Sequence, residues 1–189
     1  MIDKVDTIII GGGMAHTFDA AKGLPIGKSL CEKDKFEEAL AQLDKAKKRG
    51  VKVVLPVDLR VADKFAPDAN VQIVDVDKVP EDWEALDSGP KTSELYTEAL
   101  KGAKTVIWNG PMGVFEFDAF ANGTLAVAKA VAEATKNGAI SIVGGGDSIA
   151  ALKKTGLSDQ ISHISTGGGA TLEFLEGKVL PGIAAIADK

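Results

Sequence analysis

Between Ala139 and Leu175 the chain twice runs a short apolar stretch into a glycine-rich loop and on into a helical pattern. Ala139-Ile-Ser-Ile-Val143 is β-branched and reads as a buried strand; it empties into Gly144-Gly-Gly-Asp-Ser148 and then Ile149 to Lys154. Ser162 to Thr166 repeats the pattern, leading into Gly167-Gly-Gly169 and a helix over Ala170 to Glu176 that Gly177 ends. A loop without Cβ atoms lets a ligand approach the backbone, and a helix starting there turns unpaired N–H groups and its positive dipole end toward that ligand. One such loop is weak evidence, because consecutive glycines also let a helix pack tightly on a strand. Two of one design at the same sheet edge favour phosphate. Asp147 has two readings: an N-cap, or the carboxylate that Mg²⁺ takes alongside phosphate oxygens.

The 189 residues suffice for one well-buried domain, expected to span 1–189. A net charge of −5 with no basic block argues against a nucleic-acid partner. No apolar run approaches the roughly 20 residues that cross a bilayer, so no membrane partner is expected. The first residues lack a secretory pattern. Cys31 is the single cysteine, which excludes an internal disulfide and a cysteine metal cluster and fits a cytoplasmic location.

From the start, Val5 to Ile10 reads as a strand that enters Gly11-Gly-Gly13, with a helix from Met14 or Ala15. The dinucleotide fingerprint fits poorly, since His16 occupies its third glycine position and Glu32 matches its acidic residue only loosely. His16 reads as a helix-surface or packing residue. Gly23-Leu-Pro-Ile-Gly-Lys-Ser29 is one residue short of a P-loop and follows a helix, although Lys28 can reach a nucleotide phosphate from it. Asp34 and Glu37 have capping-box spacing before an amphipathic helix up to Gly50, and Val51 to Val57 is the next strand. Asp58 to Asn70 reads as loop, Val71 to Val76 as a weak strand, and Pro80 to Pro90 as turns with Trp83 and Leu86 as core plugs or the wall of a flat pocket. A short helix over Thr92 to Leu100 precedes the strand Thr105 to Asn109, the loop Gly110-Pro-Met-Gly113 and a long helix from Asp118 to Lys136. Alternating strands and helices predict an α/β, Rossmann-like three-layer domain. Its mostly parallel sheet should have about five or six strands, with the ligand at their carboxyl ends.

At Trp108-Asn-Gly-Pro-Met-Gly-Val-Phe-Glu116, Val143-Gly-Gly-Gly-Asp-Ser148 and Ser165-Thr-Gly-Gly-Gly-Ala170 the sequence resembles the phosphoglycerate kinase family. Ile9 to Ala15, Leu55 to Asp58, Leu86 to Pro90 and Glu173 to Lys178 are similar to it in the same order, so the resemblance covers nearly the whole chain. It implies the C-terminal, nucleotide-binding half of a glycolytic enzyme that moves a phosphoryl group between 1,3-bisphosphoglycerate and Mg-ADP. Gly12, Gly13, Leu30 and Leu86 would then line the adenine slot, Glu116 would take the ribose, and Asn109 and Pro111 would border ribose and phosphates. Gly145, Gly146, Asp147 and Ser148 would hold the nucleotide phosphates, Asp147 with Mg²⁺, and Gly167, Gly168 and Gly169 would offer N–H groups to the phosphoryl in flight. The family has a further strand and helix, with two lysines, upstream of the segment matching Thr7 to Ile10. Nothing corresponding precedes Met1, and Lys4 is out of register to replace them. The resemblance therefore implies a truncated domain that binds ADP or ATP and meets 3-phosphoglycerate or 1,3-bisphosphoglycerate only with an N-terminal domain. The competing expectation is a folded, non-catalytic remnant that acts as an interaction or complementing module.

Overall fold

The structure, a computed structural model, describes residues 2–167 and 169–186. After a 3-10 turn over Ile2–Lys4 come β1 (Thr7–Ile9), α1 (Gly12–Ala21), α2 (Phe36–Arg49) and β2 (Lys52–Val54). β3 (Asp58–Ala62), β4 (Val71–Asp75), β5 (Glu84–Ser88) and α3 (Pro90–Leu100) follow. The remainder is β6 (Thr105–Asn109), α4 (Asn122–Lys136), β7 (Ile140–Gly144), α5 (Gly146–Thr155), β8 (His163–Ser165), α6 (Gly169–Glu176) and α7 (Pro181–Ala184). β1 and β2 pair in parallel, with Thr7 opposite Lys52; β6, β7 and β8 form a second parallel sheet in that order. The third sheet is antiparallel, β4-β3-β5.

Both parallel sheets bury their apolar residues in one core. Val54 of β2, Tyr96 and Leu100 of α3, Val106 and Trp108 of β6, Val131 of α4, Val143 of β7 and Leu152 of α5 belong to it. Each large aliphatic side chain buried there stabilises the fold by about 1.5–3 kcal/mol relative to exposure. α3 links the sheets by its hydroxyl as well, since Tyr96 donates to the carbonyl of Ile10 at 2.8 Å. The carboxyl ends of β1 and β6 are thereby held beside one another.

The expected single sheet of five or six strands is not what forms: its strands are divided between sheets of two and three. β1 pairs only with β2 and β6 only with β7 among the described residues, so each keeps one unpaired ladder edge, and no hydrogen bonds join the two sheets. The expected loop at Asp58–Asn70 and the turns before Pro90 are also corrected, for β3 and β5 lie there. Asp58 makes β3 look polar, yet it is buried and satisfied. Its carboxylate accepts the N–H groups of Lys91 at 3.1 Å and Thr92 at 2.7 Å and so closes the N-terminus of α3. The Asp34–Glu37 capping box does not form either: residues Lys33–Lys35 make a 3-10 turn, and α2 starts from Lys35 without a side-chain cap. Its C-terminus is as expected, with Gly50 left-handed at φ 71°.

Candidate functional site

The glycine junctions after β1, β6, β7 and β8 meet along one edge. The loop after β1 touches the loop after β6: a Cβ at Gly12 would stand 2.8 Å from the Pro111 carbonyl oxygen. The loop after β6 in turn touches the start of α5. Asn109 Oδ1 lies where a Cβ at Gly145 would meet it at 2.6 Å, and the Ser148 hydroxyl accepts the Gly110 N–H at 2.5 Å. Gly145 has φ 89°, which an L side chain rarely adopts, so both backbone and neighbour require glycine there. From α5 the edge continues to β8. Thr171 of α6 approaches Gly144 and shares a 2.5 Å hydrogen bond with Ser165, whose hydroxyl also accepts the Gly167 N–H at 3.3 Å.

These contacts bring Gly12, Asn109, Pro111, Gly145 and Ser148 together as expected, with Gly146 and Asp147 exposed at the start of α5. The first N–H groups of that helix have no intrahelical acceptor. Its N-cap is Gly145 with no side-chain cap, so Asp147 does not cap the helix, and its carboxylate has no hydrogen-bond or ion-pair partner among the described residues. A cation here would find one carboxylate beside an anion-binding helix start, a donor set that suits Mg²⁺ shared with phosphate. No cluster of three or more metal-ligating side chains occurs among the described residues. Gly167 and Gly169 stand exposed between β8 and α6, whereas Gly168 lies outside the described residues.

At the other end of the edge, Leu30 is 76% exposed, and its side chain lies 3.4 Å from where a Cβ of Gly13 would be, giving an open apolar wall. Leu86 is buried against Ala62 and Phe120 and also lines a cavity of about 40 Å³ with Gly12, His16, Met112 and Val114. Trp83 packs on the core of β3 and β5, so it is a core plug. Lys28 pairs with Asp82 at 3.4 Å, both side chains being exposed. Glu116 is exposed; its carbonyl and that of Phe115 accept from Lys154 Nζ at 3.2 and 2.8 Å, tying its segment to α5. Lys4 donates to the Leu175 carbonyl at 3.0 Å, which fits a cation serving the end of α6.

Sequence reasoning gave no role to Ser165, although it opens one of the glycine motifs, and missed Thr171 and Lys154, which hold the loops from outside any such motif. It also missed two buried titratable groups, Asp19 and Asp87, whereas the packing alternative given for His16 agrees with its 6% exposure. His16 is held neutral by burial, which lowers its pKa to about 4, and its Nδ1 has no partner. Burial raises Asp19 to about 6, with both oxygens unpartnered. Asp87 is likewise raised to about 6 by burial, although its carboxylate accepts the Gly123 N–H.

A family profile described as "Phosphoglycerate kinase" matches residues 1–178. Phosphoglycerate kinases of Synechococcus sp. (strain JA-3-3Ab) and Nostoc punctiforme are 57% and 59% identical over 188 residues, covering all of this chain and 46% and 47% of those proteins. A solved phosphoglycerate kinase from Coxiella burnetii superposes with a TM-score of 0.92 at 50% identity, over 97% of this chain and 47% of that one. The chain thus spans about half the length of the curated relatives it matches. Those shares give only the extent of the match and do not bear out the carboxyl-terminal placement that the motifs imply. No helix among the described residues is long and apolar enough to cross a membrane. With its glycine loops assembled on one edge and similarity along nearly its whole length, the chain belongs to the phosphoglycerate kinase family.

Proposed function

We propose that this chain is the nucleotide-binding half of a phosphoglycerate kinase, an enzyme that reversibly moves a phosphoryl group between 1,3-bisphosphoglycerate and ADP. The observation that carries the reading is the contiguous edge from Gly12 through Pro111, Asn109 and Gly145 to Ser148, where loops from two sheets surround the start of α5. The base would lie against Gly13, Leu30 and Leu86, the ribose near Glu116, and the phosphates at the N–H groups of Gly146, Asp147 and Ser148. Asp147 would hold Mg²⁺, which would supply charge neutralisation at the phosphate oxygens when bound. Gly167, Gly168 and Gly169 would offer backbone donors to the transferring group, positioning and charge stabilisation being most of what phosphoryl transfer requires. The phosphoglycerate would come from the other half of the enzyme, in the cytoplasm.

The unpaired ladder edges of β1 and β6 favour a second reading, in which the chain works as a complementing or interaction module without binding nucleotide. Titration with Mg-ADP separates the two. Trp108 is buried in the core and donates to the Gly110 carbonyl at 2.7 Å, so its fluorescence reports on the loop that would border the ribose. Saturable quenching or enhancement with a rise in Tm supports the nucleotide reading. No change at millimolar Mg-ADP favours the complementing module.

A further inference from the structure

Lys154 stands in the last turn of α5, and its side chain reaches away from the helix toward the segment that follows β6. An ammonium has three donors, and three acceptors meet this one: the carbonyls of Phe115 at 2.8 Å and Glu116 at 3.2 Å, and Asp118 Oδ1 at 2.7 Å. A lysine near a helix C-terminus commonly serves the carbonyls of that helix. Lys154 bonds none of them, since all three contacts lie on the neighbouring segment. Between that segment and α5 is a cavity of about 210 Å³, with Phe115, Asp118 and Leu125 on one side and Ala151, Lys154 and Thr155 on the other. Packing therefore leaves the segment room to move. Among the described residues, Lys154 alone joins residues 115–121 to α5 by hydrogen bonds or an ion pair. The Asp118 side chain is 94% exposed, so the ion pair adds little, and the two carbonyl bonds do the holding.

The backbone of Glu116 is thus fixed, while its exposed carboxylate makes no hydrogen bond or ion pair among the described residues. That carboxylate is assigned above to the ribose, and the next step rests on that assignment. We propose that Lys154 is a positioning residue for nucleotide binding: it ties the Glu116 backbone to the helix whose first turn is assigned to the phosphates, and so sets the reach of Glu116 to the ribose hydroxyls. Hydrogen bonds weaken steeply with distance and misalignment, so a segment free to shift toward the cavity would lose them. One helix then serves phosphate at its first turn and ribose, through Glu116, at its last.

Calorimetry with Mg-ADP and with the Mg²⁺ complex of 2′,3′-dideoxy-ADP, which lacks both ribose hydroxyls, tests this on wild type, Lys154→Met, Glu116→Ala and the double variant. Lys154→Met should weaken ADP about tenfold, the size of a hydrogen bond to a charged group, and leave the dideoxy nucleotide within about twofold of wild type. In the Glu116→Ala background the same substitution should add little, because the two residues act as one unit. Equal weakening of both nucleotides would make Lys154 a brace for the fold alone, and unchanged ADP affinity would remove it from the site; either overturns the proposal. A wild type that binds both nucleotides equally would overturn the ribose role of Glu116, and one that binds neither would overturn the nucleotide reading, the inference falling with each. Should Lys154→Met fail to fold, the ammonium ¹⁵N resonance of Lys154 in the wild type decides. It should shift with Mg-ADP and not with the dideoxy nucleotide; a resonance that answers both alike overturns the proposal.

Discussion

Asp19 is a carboxylate that costs the fold stability at neutral pH. It is 2% exposed, both its oxygens lack partners, and burial outweighs the attraction of Lys22 to raise its pKa from 3.8 to about 6. The folded state therefore binds this proton more tightly than the unfolded state. The stability it contributes is full below about pH 4 and is lost as pH rises through 6. His16 acts in the opposite sense, since its folded pKa of about 4 lies below 6.5, and stability from its neutral form is gained between those values. Only a difference between variant and wild type isolates Asp19. Asp19→Asn should stabilise the chain by about 1–3 kcal/mol at pH 8 and by much less at pH 4. Urea unfolding at the two pH values checks this; an equal difference at both would contradict the assignment. For Asp147 the readout is metal-dependent. Asp147→Asn should weaken ADP binding on the order of tenfold in Mg²⁺ and little in its absence. Equal affinities for variant and wild type in saturating Mg²⁺ would refute a metal role.

Among the elements, the glycine junctions between helices and strands, Gly50 from α2 to β2 and Gly145 from β7 to α5, divide into those that merely turn and those that also make room. Gly50 and Gly145 both have positive φ, but a Cβ at Gly50 would meet open space, whereas one at Gly145 would meet Asn109. Replacement by alanine should cost roughly 1–2 kcal/mol at Gly50 from its left-handed backbone, and about 1–3 kcal/mol at Gly145, whose φ 89° and ψ 138° lie outside that region. Only Gly145→Ala should also weaken ADP binding, because it pushes the loop after β6 away from α5. Thermal melts and calorimetry on both variants test the contrast; equal ADP affinity in Gly145→Ala would remove the junction from the site. These junctions were legible in the sequence because a strand of β-branched residues meeting several glycines is a local pattern. β3 and β5 were not, since their pairing is non-local and Asp58 is buried for the sake of α3. The missed capping at Asp34 has a similar origin: the spacing was right, but the chain enters α2 through a 3-10 turn. His16 and Asp19 carry no sequence signal of burial, because helix periodicity does not say which polar residue faces inward.

At the scale of the whole molecule, the sequence order of strands and helices implied one sheet, and the shared core meets part of that expectation by aligning the two parallel sheets around α3. The two unpaired edges explain why hydrogen bonding does not complete it. Phosphoryl transfer needs donor and acceptor held in line away from water, and fixing both can account for on the order of 7–11 kcal/mol of the barrier. A chain spanning about half of its relatives should hold one partner. In a coupled assay of ATP consumption with 3-phosphoglycerate, it should show no turnover alone and regain turnover when the remaining half of the enzyme is supplied in trans. Robust turnover by the chain alone would mean that the division of labour is wrong.

The central claim is where nucleotide binds, and backbone amide shifts of the ¹⁵N-labelled chain titrated with Mg-ADP measure it most directly. The account predicts saturable shifts at Gly12 and Gly13, at Asn109 and Gly110, and from Gly145 to Ser148, with β3 and β4 unaffected. Shifts confined instead to the cavity of about 210 Å³ lined by Phe115, Leu125 and Thr155, or no saturable shift at all, would contradict it.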